Sequence, residues 1–293
     1  MCRDCGCGLP GENPAGVSAV HGHEHEHDHE HEHGPGHHHG EEHDHSHSHT
    51  HRHAHSHGSV DHQPLAQERR VVEVRQAILE KNDRLAERNR GFFHARGVLV
   101  LNILSSPGSG KTTFLQETLR SMGGKLKAGL VVGDLATDND ARRLRGAGAP
   151  VVQITTGTVC HLDSEMVARA VQQLPLDHLE LLFIENVGNL VCPASYDLGE
   201  DLRVVLLSVT EGEDKPLKYP PIFQAADAVI ISKSDLAQAC GYDRAGALAN
   251  IRRVAPKARI FELSAKTGEG MEPWRQFLLE KHQATKSCHP LAC

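Results

Sequence analysis

The chain contains 293 residues, with 31 Lys and Arg against 38 Asp and Glu, and its formal net charge is -7 with histidine neutral. This acidic balance provides no basic face, so we expect no nucleic-acid partner. No apolar stretch is long enough to span a bilayer, and residues 1–10 lack the charged-then-apolar order of a secretory signal. The composition therefore predicts a cytoplasmic protein without membrane insertion, in which thiols stay reduced.

A histidine-rich tract at residues 21–62 holds 19 of the 24 histidines, mostly alternating with Glu, Asp or Ser. Such alternation provides no apolar face, so the tract cannot offset the entropy of ordering it. Neutral imidazoles suit nickel, zinc and copper. A purification tag and a solvated linker are the alternatives, but a tag is short and terminal, whereas this tract is long and mixed with carboxylates. The tract therefore predicts metal binding.

Three clustered thiols, Cys2, Cys5 and Cys7, precede this tract in the pattern C-x-x-C-G-C. In a reducing compartment clustered thiols indicate metal ligands first and disulfides second. We therefore predict that residues 1–64 form a flexible metal-binding segment. Residues 65–97 place Leu65, Val72, Ile78, Leu79 and Leu85 near helical spacing among many charges, which predicts a lead-in helix whose apolar face packs on the following domain.

Short apolar runs alternate with helical patterns from residue 98 onward, and a tail is predicted at 284–293. The predicted strands are 98–104, 130–134, 151–154, 181–186, 204–209, 228–233 and 258–263. The predicted helices are 112–121, 138–146, 161–173, 242–255 and 271–281. Alternation of this kind predicts an α/β domain at 98–283, with a mostly parallel sheet and helices on both faces. The predicted core consists of Val100, Ile103, Val132, Ile154, Leu182, Ile184, Val205, Leu207, Ile230 and Phe261.

A phosphate-binding loop, SSPGSGKTT, occupies residues 105–113 between the first predicted strand and a helix. It matches G-x-x-x-x-G-K-[ST] except that Ser105 replaces the first glycine. Lys111 would reach the β and γ phosphates, and the Thr112 hydroxyl would hold Mg²⁺. An incidental glycine-rich turn is the alternative, which the strand before and the helix after disfavour. The fold is therefore predicted to be a P-loop NTPase, with nucleotide contacts from Gly108, Ser109, Gly110, Lys111, Thr112 and Thr113.

Two acidic residues end later strands, Asp134 in GDLATDND and Glu185 in LLFIENVGN. Both would approach Mg²⁺, and with Lys111 and Thr112 they are the predicted catalytic residues. An N-cap for the following helix is the alternative role of Asp134. Glu185 needs a partner because it is a charged residue at the end of a buried strand. Gly188 would let the turn respond to the γ phosphate.

The sequence ISKSD at 231–235 resembles the guanine-recognising N-K-x-D, with Ser232 in place of Asn. Asp235 would accept N1–H and N2–H of guanine, a donor pair that adenine lacks, while the Lys233 stem covers the ring. An ordinary turn at a strand end is the alternative. LSAK at 263–266 fits the later loop whose backbone contacts the guanine carbonyl. We predict GTP and GDP as ligands, with base contacts from Lys233, Asp235, Ser264, Ala265 and Lys266.

A second candidate metal site combines Cys160 and His161, adjacent in TTGTVCHLD, with Cys192 in ENVGNLVC. Two thiolates and an imidazole suit zinc or nickel. By spacing alone, a buried cysteine and a capping histidine explain these residues equally well.

Six features occur in a fixed order along the chain: MCxxCGC, the histidine-rich tract, SSPGSGKTT, TGTVCHLD, ENVGNLVCPA and EGEDKPLKYP. Together they resemble the hydrogenase nickel-incorporation GTPases of the HypB family over nearly the whole chain. The resemblance implies a GTP-hydrolysing nickel metallochaperone that stores nickel and assists its insertion into the [NiFe]-hydrogenase large subunit. It also implies a homodimer and a zinc- and nickel-binding accessory partner of the HypA family. The tract corresponds to nickel storage. The implied nickel site is Cys2, Cys5 and Cys7, and the implied metal site of the GTPase domain, at or near the dimer interface, is Cys160, His161 and Cys192.

Three other functions remain open: a nickel or zinc buffer with weak nucleotide turnover, a urease-type accessory GTPase, and a regulatory GTPase without metal. The N-terminal thiols and Cys192 favour the hydrogenase family over the urease type, and the regulatory GTPase leaves every ligand cluster unexplained. Cys192 lies four residues after Gly188. We therefore hypothesise that GTP binding and hydrolysis move Cys192 and change metal affinity or dimer geometry.

Overall fold

The computed structural model describes residues 63–135 and 138–287. The predicted metal ligands Cys2, Cys5 and Cys7, the histidine-rich tract and the Cys-containing end of the tail lie outside the described residues. The strands are β1 (Leu99–Ser105), β2 (Ala128–Asp134), β3 (Val151–Thr155), β4 (Leu181–Glu185), β5 (Leu202–Ser208), β6 (Ala228–Ser232) and β7 (Arg259–Glu262). Within the described ranges they form one sheet in the order β3-β2-β4-β1-β5-β6-β7, and all neighbouring pairs are parallel. The predicted fold class is confirmed.

The helices are α1 (Gln63–His94), α2 (Lys111–Met122), α3 (Asn139–Arg145), α4 (Ser164–Val171), α5 (Lys215–Lys218), α6 (Pro220–Gln224), α7 (Arg244–Val254) and α8 (Met271–Ser287). Helix α4 begins after the predicted 161 because Asp163 caps it, accepting a hydrogen bond from the Met166 amide at 2.8 Å. Helix α8 continues to Ser287, beyond its predicted end at 281 and into the residues assigned to the tail. Helices α5 and α6 were not predicted, and both have proline in their first turn.

Successive side chains of β1 lie on opposite faces of the sheet and pack into two different hydrophobic cores, as expected of a strand covered on both faces. Leu101 and Ile103 pack with Phe114 of α2 and Trp274 of α8. Val100 packs on the other face, in a cluster with α1 and α4. All the predicted core residues are buried except Ile154. This residue is only partly buried because it lies on edge strand β3.

The long helix α1 packs on the domain through its second half. The Asn89 amide donates hydrogen bonds to the carbonyls of Ser164 at 2.9 Å and Leu198 at 3.1 Å. Val72 and Ile78, which helical spacing assigned to the packed face, are 63% and 52% exposed.

Within the described residues no helix is both long enough and apolar enough to cross a membrane.

Candidate nucleotide site and metal centre

The carboxyl ends of β1, β2 and β4 meet at one edge of the sheet, where chain connections diverge on either side of β1. Ligands of open α/β sheets bind at such a switch point. In the parallel register Glu185 lies opposite Ile103 of β1 and Val132 of β2. A cavity of about 380 Å³ opens there, lined by the phosphate loop, Asp134 and the turn from Glu185 to Gly188.

The phosphate loop leaves β1 and enters α2 through Gly110, whose φ of 98° favours glycine. Helix α2 begins at Lys111, so its positive end borders the cavity. Ser105, at the position of the first motif glycine, is fully buried. Its Oγ accepts from Ser109 Oγ at 2.5 Å and from Lys111 Nζ at 2.8 Å, and donates to the Ser106 carbonyl at 2.7 Å. Ser105 therefore ties the loop together and holds the lysine.

Glu185 and Thr112 form the candidate Mg²⁺ site. Thr112 Oγ1 donates to Glu185 Oε1 at 2.8 Å, and Glu185 Oε2 is buried without a hydrogen-bond partner among the described residues. Burial raises the pKa of Glu185 to about 7, although Lys111 and Thr112 act against this shift. Burial also lowers the pKa of Lys111. Because Mg²⁺ prefers oxygen ligands, an unsatisfied carboxylate oxygen beside a hydroxyl fits that ion.

The rest of the cavity lining includes the predicted residue Asp134 and two residues that the sequence reasoning missed. Asp134 Oδ1 accepts a hydrogen bond from the Leu135 amide at 2.5 Å, and α3 does not begin until Asn139, so its alternative role as the α3 cap was wrong. Asp140 and Arg143 of α3 also line the cavity, and Arg143 donates to Thr113 Oγ1 at 3.2 Å. The only available signal was their position shortly after the Asp134 strand.

Gly188 lies against the phosphate loop. A Cβ at Gly188 would stand 2.9 Å from Pro107 Cα, closer than real Cβ contacts. The turn after β4 therefore touches the phosphate loop through backbone alone. A rearrangement of the phosphate loop at Pro107 would therefore displace the turn.

The predicted base-binding residues come together at the ends of β6 and β7. Ser232 Oγ donates to the Ser109 carbonyl at 2.9 Å, so the serine in place of Asn fastens the phosphate loop to β6. Lys233 has a φ of 60° and donates to the Gly108 carbonyl at 2.7 Å. Ser264 Oγ donates to Asp235 Oδ1 at 2.6 Å, which fixes the orientation of the carboxylate. Of the remaining predicted contacts, Ala265 and Lys266 follow Ser264 in the loop after β7.

The three residues of the predicted second metal site also come together. One ligand atom each from Cys160, His161 and Cys192 lie within 4.8 Å of one another, and the two Sγ atoms are 2.8 Å apart. The His161 ring stacks on Tyr196 with centroids 3.8 Å apart, and its buried Nδ1 has no hydrogen-bond partner among the described residues. Burial lowers the pKa of His161, which favours the neutral, metal-binding imidazole. We call these three residues the triad.

The triad opens to solvent through a second cavity of about 860 Å³, between α1 and residues 190–196. His161 and Cys192 line it together with apolar residues of α1 such as Val74 and Ile78. The cavity gives an incoming metal or partner ligand access to two members of the triad.

The fold, the phosphate loop and the acidic strand end define a P-loop nucleotide-binding protein, and residues 99–262 match the CobW/HypB/UreG nucleotide-binding domain. Within that class, the chain belongs to the HypB family of hydrogenase maturation factors. It is 52% identical over 217 residues to hydrogenase maturation factor HypB of Escherichia coli K12, covering 74% of this chain and 75% of that protein.

Two comparisons with Helicobacter pylori proteins extend this relationship. The chain is 44% identical to the hydrogenase/urease maturation factor HypB of that organism, covering 74% of this chain and 92% of the relative. It also resembles the crystal structure of Helicobacter pylori HypB in complex with nickel, with a TM-score of 0.67 and 44% identity, over 70% of this chain and 96% of that one.

Proposed function

We propose that this protein is a GTP-hydrolysing nickel metallochaperone that binds and stores nickel and assists its insertion into the [NiFe]-hydrogenase large subunit. One observation carries the proposal: a single chain segment, 185–192, begins at the candidate Mg²⁺ ligand Glu185 and ends at Cys192 of the triad. A nickel complex of a HypB structure 44% identical to this chain supports the metal assignment.

The nucleotide chemistry follows from the cavity. The phosphate loop and the positive end of α2 hold the phosphates, Lys111 leaves Ser105 for the γ phosphate, and Thr112 with Glu185 holds Mg²⁺. Asp134 also lines the cavity, where its carboxylate would approach Mg²⁺. Bound Mg²⁺ neutralises charge that develops on the phosphates. Asp235, oriented by Ser264, selects guanine.

The metal chemistry is divided between two regions of the chain. The triad binds nickel or zinc through two sulfurs and one nitrogen, leaving room for a ligand from a partner. Residues 1–64, with Cys2, Cys5, Cys7 and the histidine-rich tract, bind and store nickel, and residues 98–283 turn over GTP. Delivery takes place in the cytoplasm, in a homodimer that is sensitive to nucleotide or metal, with a HypA-family accessory protein as partner.

Metal and nucleotide stoichiometry test this proposal together. Nickel and zinc binding are measured by equilibrium dialysis for the full chain, for a chain lacking residues 1–62, and for Cys160→Ala, each with GDP or GTP. Truncation should remove the bulk of the nickel, whereas Cys160→Ala should remove only the triad ion. Asp235→Asn should lower GTP affinity and raise xanthosine triphosphate affinity, because the new amide donates to the xanthine 2-carbonyl. Equal nickel binding by all three chains, or no GTP turnover, would refute the proposal.

Urease maturation is a second candidate. A relative that is 44% identical to this chain is named a hydrogenase/urease maturation factor. Reconstitution with nickel-free precursors of both enzymes separates the two, since a hydrogenase-dedicated protein activates only the hydrogenase.

A further inference from the structure

Asn102 is a polar residue in the middle of the otherwise apolar part of β1, and it is fully buried. A buried amide is costly unless its hydrogen bonds are satisfied, and an aliphatic residue would fill the same strand position without that cost. Its partners are therefore informative. Asn102 Oδ1 accepts from Asn186 Nδ2 at 3.3 Å, and Asn102 Nδ2 donates to Glu200 Oε1 at 3.2 Å.

Asn186 connects the turn at residues 185–188, which we call the nucleotide turn, to the loop that carries His161 of the triad. It follows Glu185 directly, lines the phosphate cavity and is 1% exposed. Its Oδ1 accepts from the Val187 amide at 2.9 Å, within the turn, and from the Leu162 amide at 3.2 Å, next to His161. One side chain thus bonds both to the turn that follows Glu185 and to the loop that carries two metal ligands.

The chain of hydrogen bonds continues from Asn102 to the other side of the triad. Glu200 is buried, and its Oε1 accepts from Arg203 Nε at 2.7 Å as well as from Asn102. The Arg203 guanidinium in turn donates to the carbonyls of Ala194 and Tyr196, each at 3.3 Å. Ala194 lies in the helical turn Cys192–Ser195, and the Tyr196 ring stacks on His161. Both arms of the network therefore end beside the triad.

We propose that Asn186 is a positioning residue, which, with Asn102, Glu200 and Arg203, transmits the position of the nucleotide turn to the geometry of the triad. The inference rests on the proposed function and adds the route by which nucleotide state changes metal affinity. A shift of Glu185 towards Mg²⁺ carries Asn186 with it, because they are adjacent. Asn186 and Asn102 are almost completely buried, so bonds to solvent do not readily replace their hydrogen bonds, and the shift moves the Leu162 amide or breaks a bond.

The test measures the coupling between the two sites in the full chain. Affinities for fluorescent GDP and a fluorescent non-hydrolysable GTP analogue are titrated with and without saturating nickel chloride. The coupling factor is the change that nickel causes in the ratio of these two affinities, and linkage makes it equal to the change that nucleotide causes in nickel affinity. Dividing by the factor of the Cys160→Ala/Cys192→Ala double variant removes any contribution of nickel bound elsewhere.

We expect a coupling factor on the order of fivefold or more in the unaltered chain, falling below about twofold in Asn186→Ala. A uniform loss of nucleotide affinity cancels in the ratio, so a merely structural role would leave the factor unchanged. Asn89→Ala is the matched control, because Asn89 is also a buried asparagine, and the substitution removes the two hydrogen bonds that it donates to the carbonyls of Ser164 and Leu198. It should retain the full factor.

Asn102→Leu is the second variant, used if Asn186→Ala does not fold. It removes the bonds of Asn102 to Asn186 and Glu200 but leaves the bond from the Leu162 amide to Asn186, so we expect an intermediate factor. Full coupling in Asn186→Ala or in Asn102→Leu would overturn the inference, as would a factor of about one in the unaltered chain. Failure of the proposed function is seen separately, as absence of nucleotide binding in the nickel-free titrations or of nickel binding by dialysis.

Discussion

Replacement of Glu185 by Gln should stabilise the nucleotide-free protein while removing its Mg²⁺ ligand. Burial raises the pKa of Glu185 from 4.5 to about 7. Between these values the folded state holds a proton that the unfolded state has lost, so stability falls as pH rises and stays low above about pH 7. The difference between 4.5 and about 7 corresponds to about 3 kcal/mol. Glu185→Gln cannot ionise and keeps the acceptor for Thr112, so it avoids this cost.

Thermal and urea unfolding of metal-free, nucleotide-free protein at about pH 4.5, 6 and 8 measures the effect. We expect Glu185→Gln to exceed the unaltered chain by about 3 kcal/mol at pH 8, or roughly 6–12 °C in Tm for a domain of this size, and to match it near pH 4.5. Glu73→Gln, which removes an exposed carboxyl on α1, is the control and should change neither value. The same pH dependence in Glu185→Gln and the unaltered chain would refute the reasoning.

Four further outcomes are expected. Lys111→Ala should reduce GTP turnover by on the order of 100-fold or more, measured as phosphate release, because it removes a donor to the developing charge. Ser232→Ala should weaken GTP and GDP binding about equally, by roughly fivefold, since it removes one hydrogen bond to the phosphate loop; unequal loss in nucleotide titrations would contradict this. Cys160→Ala should lower nickel binding by about one equivalent per chain in dialysis. Trp274→Ala should cost about 3–5 kcal/mol in urea unfolding, because the fully buried indole packs against Phe114 and bonds Thr118.

The elements of the domain were predictable because their signals are local. Consecutive apolar residues identify strands buried on both faces, and GSGKTT identifies a strand-to-helix turn whatever surrounds it. The exceptions have tertiary causes. Ile154 has a core-like pattern but lies on the edge strand, and Val72 and Ile78 have helical spacing on a part of α1 that extends beyond the packed face.

The sequence by itself determined that the chain has a phosphate loop, an acid at the end of a buried strand and thiols beside a histidine, since each needs only a few adjacent residues. Only the tertiary structure decided that Cys160 and Cys192 meet, because the parallel sheet places the carboxyl ends of β3 and β4, which lie on either side of β2, at one edge. It also decided the role of Asn102, whose hydrogen-bond partners Asn186 and Glu200 are far away in the chain. Hydrogen bonds between buried side chains have no sequence periodicity, so the network around Asn186 became visible only in the folded protein.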